Sequence, residues 1–321
     1  EIMSSDWSSD VCSSDLSEIS LGAWLTFAGQ IQDTTANQLV KAAFDGGINF
    51  FDCADAYMNG EAEKVLGEAV KDIPRNELVI SSKVFFPTME GPNGRGLSRK
   101  HIHESITRTL KNLDMAYIDI YYCHRYDPDT PVEEVVRTMN DLIQRGQIFY
   151  WGTSEWTAAQ VAEAHGIAAN LGLIGPAVEQ PQYNLLHRKR VEDSLMPVTS
   201  RFGMGITSFS PLAGGVLTGK YNDGIPEGSR ASHEDLAWMK SMLTPERMEP
   251  VRHFTAYAKQ LDIHPAQLSL AWLLRRKEVS SIITGATKLS QLDSNLKAAD
   301  FVSQLNNDIL EDIDTMFEGV E

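Results

Sequence analysis

The chain has 321 residues, 42% of them hydrophobic, and a formal net charge of −16; no apolar run approaches the roughly 20 residues that a membrane span needs. So large an excess of acid repels nucleic acid and anionic membrane surfaces alike, which disfavours both as partners and means that an anionic ligand needs a local basic patch. Cys12, Cys53 and Cys123 fit neither a metal-ligand spacing nor a disulfide framework, so they read as small core residues of a protein kept in a reducing compartment, the cytoplasm.

Residues 1–16, EIMSSDWSSDVCSSDL, have no helical or strand period and lack the charged and apolar regions of a signal peptide. They read as a disordered, non-native segment, and the DVCSSDL ending resembles a translated sequencing adapter. The domain proper is expected over 17–321, with SEISLGAW as its first strand. Asp33 can cap a helix whose Leu39, Val40, Ala43 and Phe44 share a face, and Gly46-Gly47 stop it. INFFD, residues 48–52, is a short apolar run of the kind that forms a strand buried on both faces; it ends in Asp52, with Tyr57 in the loop beyond. A helix over 61–71 carries Val65, Leu66, Ala69 and Val70 as its stripe. LVISSKVF, residues 78–85, is the next strand, with Lys83 near its end.

Residues 85–97 form a Gly- and Pro-rich loop long enough to overhang a site. Its GPNGRG lacks the GxGxxG spacing, so it reads as loop flexibility and not as a phosphate cradle. Ser98 opens a helix that turns Ile102, Ile106, Leu110 and Leu113 inward. His101 and His103, two apart, point away from each other and are expected to be solvated. IDIYYCH, residues 118–124, is a strand ending in His124. Thr130, Pro131 and Glu133 predict a capping box for a helix with Val132, Val135, Val136, Met139 and Leu142 on its core face. Strand five covers 148–153, Thr157 with Gln160 caps the following helix, and strand six covers 177–182. Arg188, Lys189 and Arg190 begin a helix and are expected on its solvated face. Strand seven, 205–209, leads into SPLAGGVLTGKY and a loop running to about residue 246, long enough to cover a cofactor. Helices over 250–261 and 265–277, a strand over 281–284 and a helix from about Lys288 complete the chain.

Eight strands alternating with helices predict an α/β fold: a single (β/α)8 TIM barrel with long loops over its C-terminal face, where such barrels keep their chemistry. Asp52, Lys83 and His124 then fall at that end of three consecutive strands, with Tyr57 just beyond the first.

The order and spacing of Asp52, Tyr57, Lys83 and His124 resemble the catalytic tetrad of the aldo-keto reductase family. GEAEKVLGEAV, GLSRKHI, YYCHRYDPDTP, WGTSEW, EQPQYN, SPLAGGVLTGKYNDGIPEGSRAS and TGAT resemble its voltage-gated potassium channel β-subunit-like branch, and the likeness covers nearly everything after Ser17. Relatives usually begin with a short hairpin that plugs the N-terminal end of the barrel; its pattern is missing here. The resemblance implies an enzyme that reduces small aldehydes or ketones with NADPH, with a dinucleotide-binding regulatory subunit of a partner protein as the alternative, and it leaves a homo-oligomer open. Tyr57 would give the proton, Lys83 would lower its pKa, Asp52 would hold Lys83, and His124 would orient the carbonyl oxygen. By the same resemblance Ser154 and Gln180 meet the nicotinamide amide and Phe209 stacks on the ring. Trp24 and Gln30 line the same mouth. Ser210, Pro211, Leu212, Gly214 and Lys220 surround the pyrophosphate. Arg230 and Thr287 match the 2′-phosphate end, with Gly285, Gln291 and Asn295 nearby, which favours NADP over NAD. No metal is implied. Many family members have Lys-Ser and a later Arg where this chain has Ala286-Thr287 and Gln291, and Ser294 stands where the branch usually has Glu.

Overall fold

Short apolar runs, too brief for helices and bounded by turns, form eight strands: β1 (Ile19–Gly22), β2 (Phe50–Asp52), β3 (Val79–Val84), β4 (Ile118–Cys123), β5 (Ile148–Ser154), β6 (Val178–Gln180), β7 (Gly205–Ser208) and β8 (Val279–Thr284). In the computed structural model, which describes residues 15–24, 33–233 and 236–320, they pair in parallel in chain order and close into a barrel, β1 meeting β8 through Ser20 and Ile283. Parallel neighbours need a crossover, and helices provide it. They are α1 (Asp33–Asp45), α2 (Glu61–Val70), α3 (Arg99–Leu113), α4 (Val132–Gln144), α5 (Ala158–Leu171), α6 (Met196–Phe202), α7 (Ala237–Ser241), α8 (Pro245–Gln260), α9 (Pro265–Leu274), α10 (Leu289–Leu296) and α11 (Asn307–Met316).

The period of two along each strand divides the core. Phe50, Val79, Ile120, Tyr122, Val178 and Ile283 form one buried cluster, while their strand neighbours Phe51, Ile80, Tyr121 and Ile282 belong to a second, larger one that includes the helices' apolar stripes. Several starts follow the expected capping chemistry: Ser98 accepts from the His101 amide, and Thr157 and Gln160 form a full capping box.

Other local expectations fail for identifiable reasons. Thr130 does not cap α4, because its hydroxyl donates to Asp127 Oδ2 at 2.8 Å and Pro131 takes the N-cap position. α8 begins at Pro245, not Pro250, which lies inside the helix. His101 is fully buried, and burial followed by the Arg108 charge lowers its pKa; His103 is half-buried. Arg188 and Arg190 are not free surface charges: Arg188 pairs with Glu192 at 2.9 Å and Asp314 at 2.5 Å, and Arg190 with Glu155 at 2.9 Å.

The boundary after residue 16 also moves. Residues 1–14 and Cys12 among them lie outside the described part, but Leu16 is wholly buried in the cluster with Phe50 and Ile283. Asn49 fastens it: its Nδ2 donates to the Asp15 carbonyl and its Oδ1 accepts the Ser17 amide, both at 2.8 Å. Leu16→Ala should lower stability by about 2–5 kcal/mol, the usual loss for emptying a Leu site in a core. A denaturant midpoint unchanged by the substitution would show that Leu16 fills no essential volume.

Candidate active site

β2 ends in Asp52, β3 nearly ends in Lys83, and His124 directly follows β4, its amide bonding the Val84 carbonyl at 3.0 Å. The barrel itself thus brings three of the expected groups to one mouth. Tyr57 arrives from the next loop, at the start of a 3-10 turn (Tyr57–Gly60). That loop is tied from behind by Asp55, which is fully buried. Its Oδ2 accepts from Ser105 Oγ in α3 at 2.6 Å, and Ser105 Oγ in turn accepts from the Tyr121 hydroxyl at 3.0 Å. Burial, working against these partners, pushes the Asp55 carboxyl up to about 7.

Lys83 is the centre of the arrangement and is fully buried. Its ammonium donates to Asp52 Oδ2 at 2.5 Å, to the Cys53 carbonyl at 2.7 Å and to the Tyr57 hydroxyl at 3.3 Å, one bond for each of its hydrogens. Burial favours the neutral amine, but Asp52 and then Tyr57 outweigh it and hold the pKa above the ordinary lysine value. Asp52 receives two more donors on Oδ1, Ser81 Oγ at 2.7 Å and Gln180 Nε2 at 3.1 Å. In an eight-stranded ring β2 and β6 stand opposite each other, so the Gln180 bond crosses the mouth from wall to wall.

The family resemblance implies that Lys83 lowers the pKa of Tyr57. The structure gives the opposite net direction: burial dominates and, despite Lys83, pushes the phenol up to about 12. Tyr57 therefore keeps its proton through the neutral range, and the ammonium stabilises the phenolate only once that proton has left. His124 is shifted well below the usual imidazole range by burial, then by Lys83 and Arg125, and is neutral. Both shifts remove titration from the middle of the scale. Neither Tyr57 nor His124 should therefore put a break in the pH profile of reduction between about pH 6 and 9, because the donor stays protonated as pH rises and the imidazole stays neutral as it falls; a break near 7 that persists without His124 would belong to Asp55. A pH profile of kcat/KM with a break near 6.5 that disappears in His124→Asn would contradict the assignment.

The mouth opens into a cavity of about 990 Å³. Asp52, Tyr57 and His124 line it, whereas Lys83 lies behind them. Every expected cofactor residue except Gln30 also lines it, from Trp24, Ser154, Gln180 and Phe209 through Ser210, Pro211, Leu212, Gly214, Lys220 and Arg230 to Gly285, Thr287, Gln291 and Asn295. Gln30 lies outside the described residues. The cavity suits a long, anionic, phosphate-bearing ligand. Gly214 and Gly215 have φ of 66° and 95°, and a Cβ on Gly215 would fall 2.6 Å from Lys220 Nζ, so the absence of side chains there leaves backbone amides and an ammonium accessible together. Arg230 is half-buried, and among the described residues it makes no ion pair. Ser210 holds a positive φ of 51°, unusual for a non-glycine residue, and its carbonyl accepts from Asn184 Nδ2 at 2.9 Å. Thr287 is turned toward Gln291, whose Oε1 accepts its amide at 2.8 Å.

The sequence reading missed Phe86 and Arg125, which line the cavity beside Tyr57 and His124. Arg125 is adjacent to His124 in the chain, but a cation just past a strand end ordinarily reads as solvated. Among the described residues no group of three or more His, Cys, Asp or Glu side chains is placed to hold a metal ion, and no helix is long and apolar enough to cross a membrane.

Over nearly its whole length the chain is similar to known proteins. A probable voltage-gated potassium channel subunit beta of Oryza sativa subsp. japonica is 45% identical over 308 residues, covering 95% of this chain and 94% of the relative. A protein of the same description from Arabidopsis thaliana matches equally, and a putative one from Schizosaccharomyces pombe is 46% identical over 306 residues, covering 93% and 89%. A sequence model described as the Aldo/keto reductase family matches residues 18–318, which spans every strand of the barrel. With the closed barrel and this match over nearly its whole length, the chain belongs to the aldo/keto reductase family.

Proposed function

We propose that the protein reduces small aldehydes or ketones to alcohols with NADPH. The observation that supports this best is the Asp52–Lys83–Tyr57 chain of contacts at 2.5 and 3.3 Å, opening on the cavity beside His124. NADPH, when bound, supplies a hydride to the carbonyl carbon. The charge that develops on the carbonyl oxygen needs a donor, and the neutral His124 side chain at the cavity wall can hydrogen-bond to it and orient it. Tyr57 gives its hydroxyl proton to the same oxygen and becomes a phenolate facing the Lys83 ammonium; a proton from solvent restores it. Asp52 keeps that ammonium charged and in place. Ser154 and Gln180 are suited to the carboxamide end of the dinucleotide, Lys220 and the backbone near Gly214 to its pyrophosphate, and Arg230 and Thr287 to the 2′-phosphate.

The names of the relatives favour a second reading, a regulatory subunit that binds the same dinucleotide and a partner protein with little turnover. Purified protein, NADPH and a panel of aldehydes, followed at the absorbance of the reduced nicotinamide, separate the two. Steady aldehyde-dependent consumption supports the enzyme; tight NADPH binding without consumption supports the subunit. We also expect a cytoplasmic protein, since Cys53 and Cys123 are free and buried.

Arg230→Ala should weaken NADPH binding by about 1.5–3 kcal/mol and leave NADH binding nearly unchanged, because the two ligands differ only in the 2′-phosphate. Arg230 makes no ion pair among the described residues, so its removal strands no carboxylate among them. Equal losses for the two dinucleotides, measured by fluorescence titration, would show that Arg230 acts elsewhere.

A further inference from the structure

Arg125 is half-buried at the wall of the cavity, yet the partners of its guanidinium are neutral. Nη1 donates to the His124 carbonyl and, at 3.4 Å, to Ser154 Oγ; the group lies 5.5 Å from the Phe86 ring centre. Among the described residues no carboxylate reaches it. The acid that acts on it most strongly, Glu155, is bonded to Arg190 at 2.9 Å. Nε and Nη2 make no hydrogen bond among the described residues. A partly desolvated cation with neutral partners is costly to the free protein, and the cost is recovered when an anion arrives. The location decides which anion. Arg125 follows His124 in the chain and is near enough for Tyr57 to influence its charge, whereas the residues suited to phosphates, Lys220 and Arg230, belong to the long loop after β7. Phe86 packs edge-on against His124 at 4.9 Å and offers an apolar surface between the two groups.

We infer that Arg125 determines substrate specificity by pairing with an oxyanion, a carboxylate or a phosphate, carried by the carbonyl substrate a few atoms from its reacting carbon. The Nε–Nη2 edge, unbonded among the described residues, is a two-pronged donor that suits either group, and it would fix the substrate's far end while Tyr57 and His124 meet its carbonyl oxygen. This rests on the carbonyl-reducing function proposed above.

The test compares para-carboxybenzaldehyde and para-formylphenyl phosphate with neutral para-tolualdehyde. Wild-type protein should favour at least one of the anionic aldehydes in kcat/KM, and the favoured one identifies the oxyanion. Arg125→Met should reduce that preference by roughly ten- to hundredfold, the size of a lost charge-assisted hydrogen bond, mainly through KM. Arg125→Lys should keep part of it. In a second measurement, calorimetric titration of the NADPH-loaded protein with para-hydroxymethylbenzoate, which cannot be reduced, should give binding that Arg125→Met abolishes. Absence of any anionic preference in the wild type, or an equal fall for charged and neutral aldehydes in Arg125→Met, would overturn the inference and leave Arg125 as a support for Ser154 and the His124 backbone. Failure to reduce any aldehyde, with Arg125-dependent binding of the benzoate retained, would instead overturn the proposed reaction and leave the anion site standing.

Discussion

Tyr57→Phe should lower kcat for carbonyl reduction by about 10²–10⁴ while leaving NADPH affinity close to wild type. The substitution removes one oxygen, whose hydrogen bond to Lys83 Nζ is long at 3.3 Å, and keeps a ring that is half-buried in the loop. Lys83 retains its contacts with Asp52 and the Cys53 carbonyl, so the ammonium is still paired and the barrel is not disturbed. What is lost is the group protonated throughout the neutral range and aimed into the cavity. His124 does not replace it, because its neutral form is too weak an acid to give up its proton and can only share it in a hydrogen bond, and its charged form is disfavoured by burial and then by Lys83 and Arg125. Single-turnover rates of NADPH oxidation with an aldehyde, beside fluorescence titration of NADPH, separate chemistry from binding. Near wild-type turnover in this variant would mean that the proton comes from elsewhere.

Lys83→Met should abolish reduction as well, and it should also damage the fold, which Tyr57→Phe does not. The ammonium is fully buried against Asp52, and removing one member of such a pair costs about 3–5 kcal/mol because the other charge is left without compensation. The Cys53 carbonyl loses its donor in the same step. Asp52→Asn in the Lys83→Met background removes the stranded charge, so the double variant should regain much of the lost stability and none of the activity. Urea unfolding of wild type, both single variants and the double variant gives the coupling energy directly. A single Lys83→Met variant as stable as wild type would show that the pair is not the buried unit described above.

The barrel and the places of Asp52, Lys83 and His124 at the strand ends were legible because they depend on local pattern. Phe50 and Phe51 before Asp52, or the IDIYYC run before His124, are strand signals that need no tertiary information, and a residue at a strand's end is carried to the mouth by the topology. The capping box at Thr157 is local in the same way. The failures have a common cause in competition from partners that the expected local pattern does not count. Thr130 had a nearby carboxylate, Asp127, that drew its hydroxyl away from the helix start. Arg188 found Asp314, 126 residues further along, in a helix that the hydrophobic pattern had not revealed. The sign of the Tyr57 shift depended on weighing burial against Lys83, and burial is set by the loops packed around the mouth and not by spacing. Leu16 looked like the end of a polar tail because a single apolar side chain has no period; only its fit beside Phe50 and Ile283 reveals it as part of the barrel floor.

The Gln180–Asp52 bond links the candidate site to assembly of the ring. Asp52, Ser81 and Lys83 all come from β2 and β3, early in the chain, whereas Gln180 comes from β6 on the opposite wall. A nascent half-barrel that stops short of β6 would therefore carry the Asp52 carboxylate with one donor fewer than it has in the finished protein. The second half-barrel completes the coordination of that charge when it docks, so ring closure is reinforced at the mouth that holds Asp52, and a register slip of β6 by one residue would turn Gln180 outward and be penalised there.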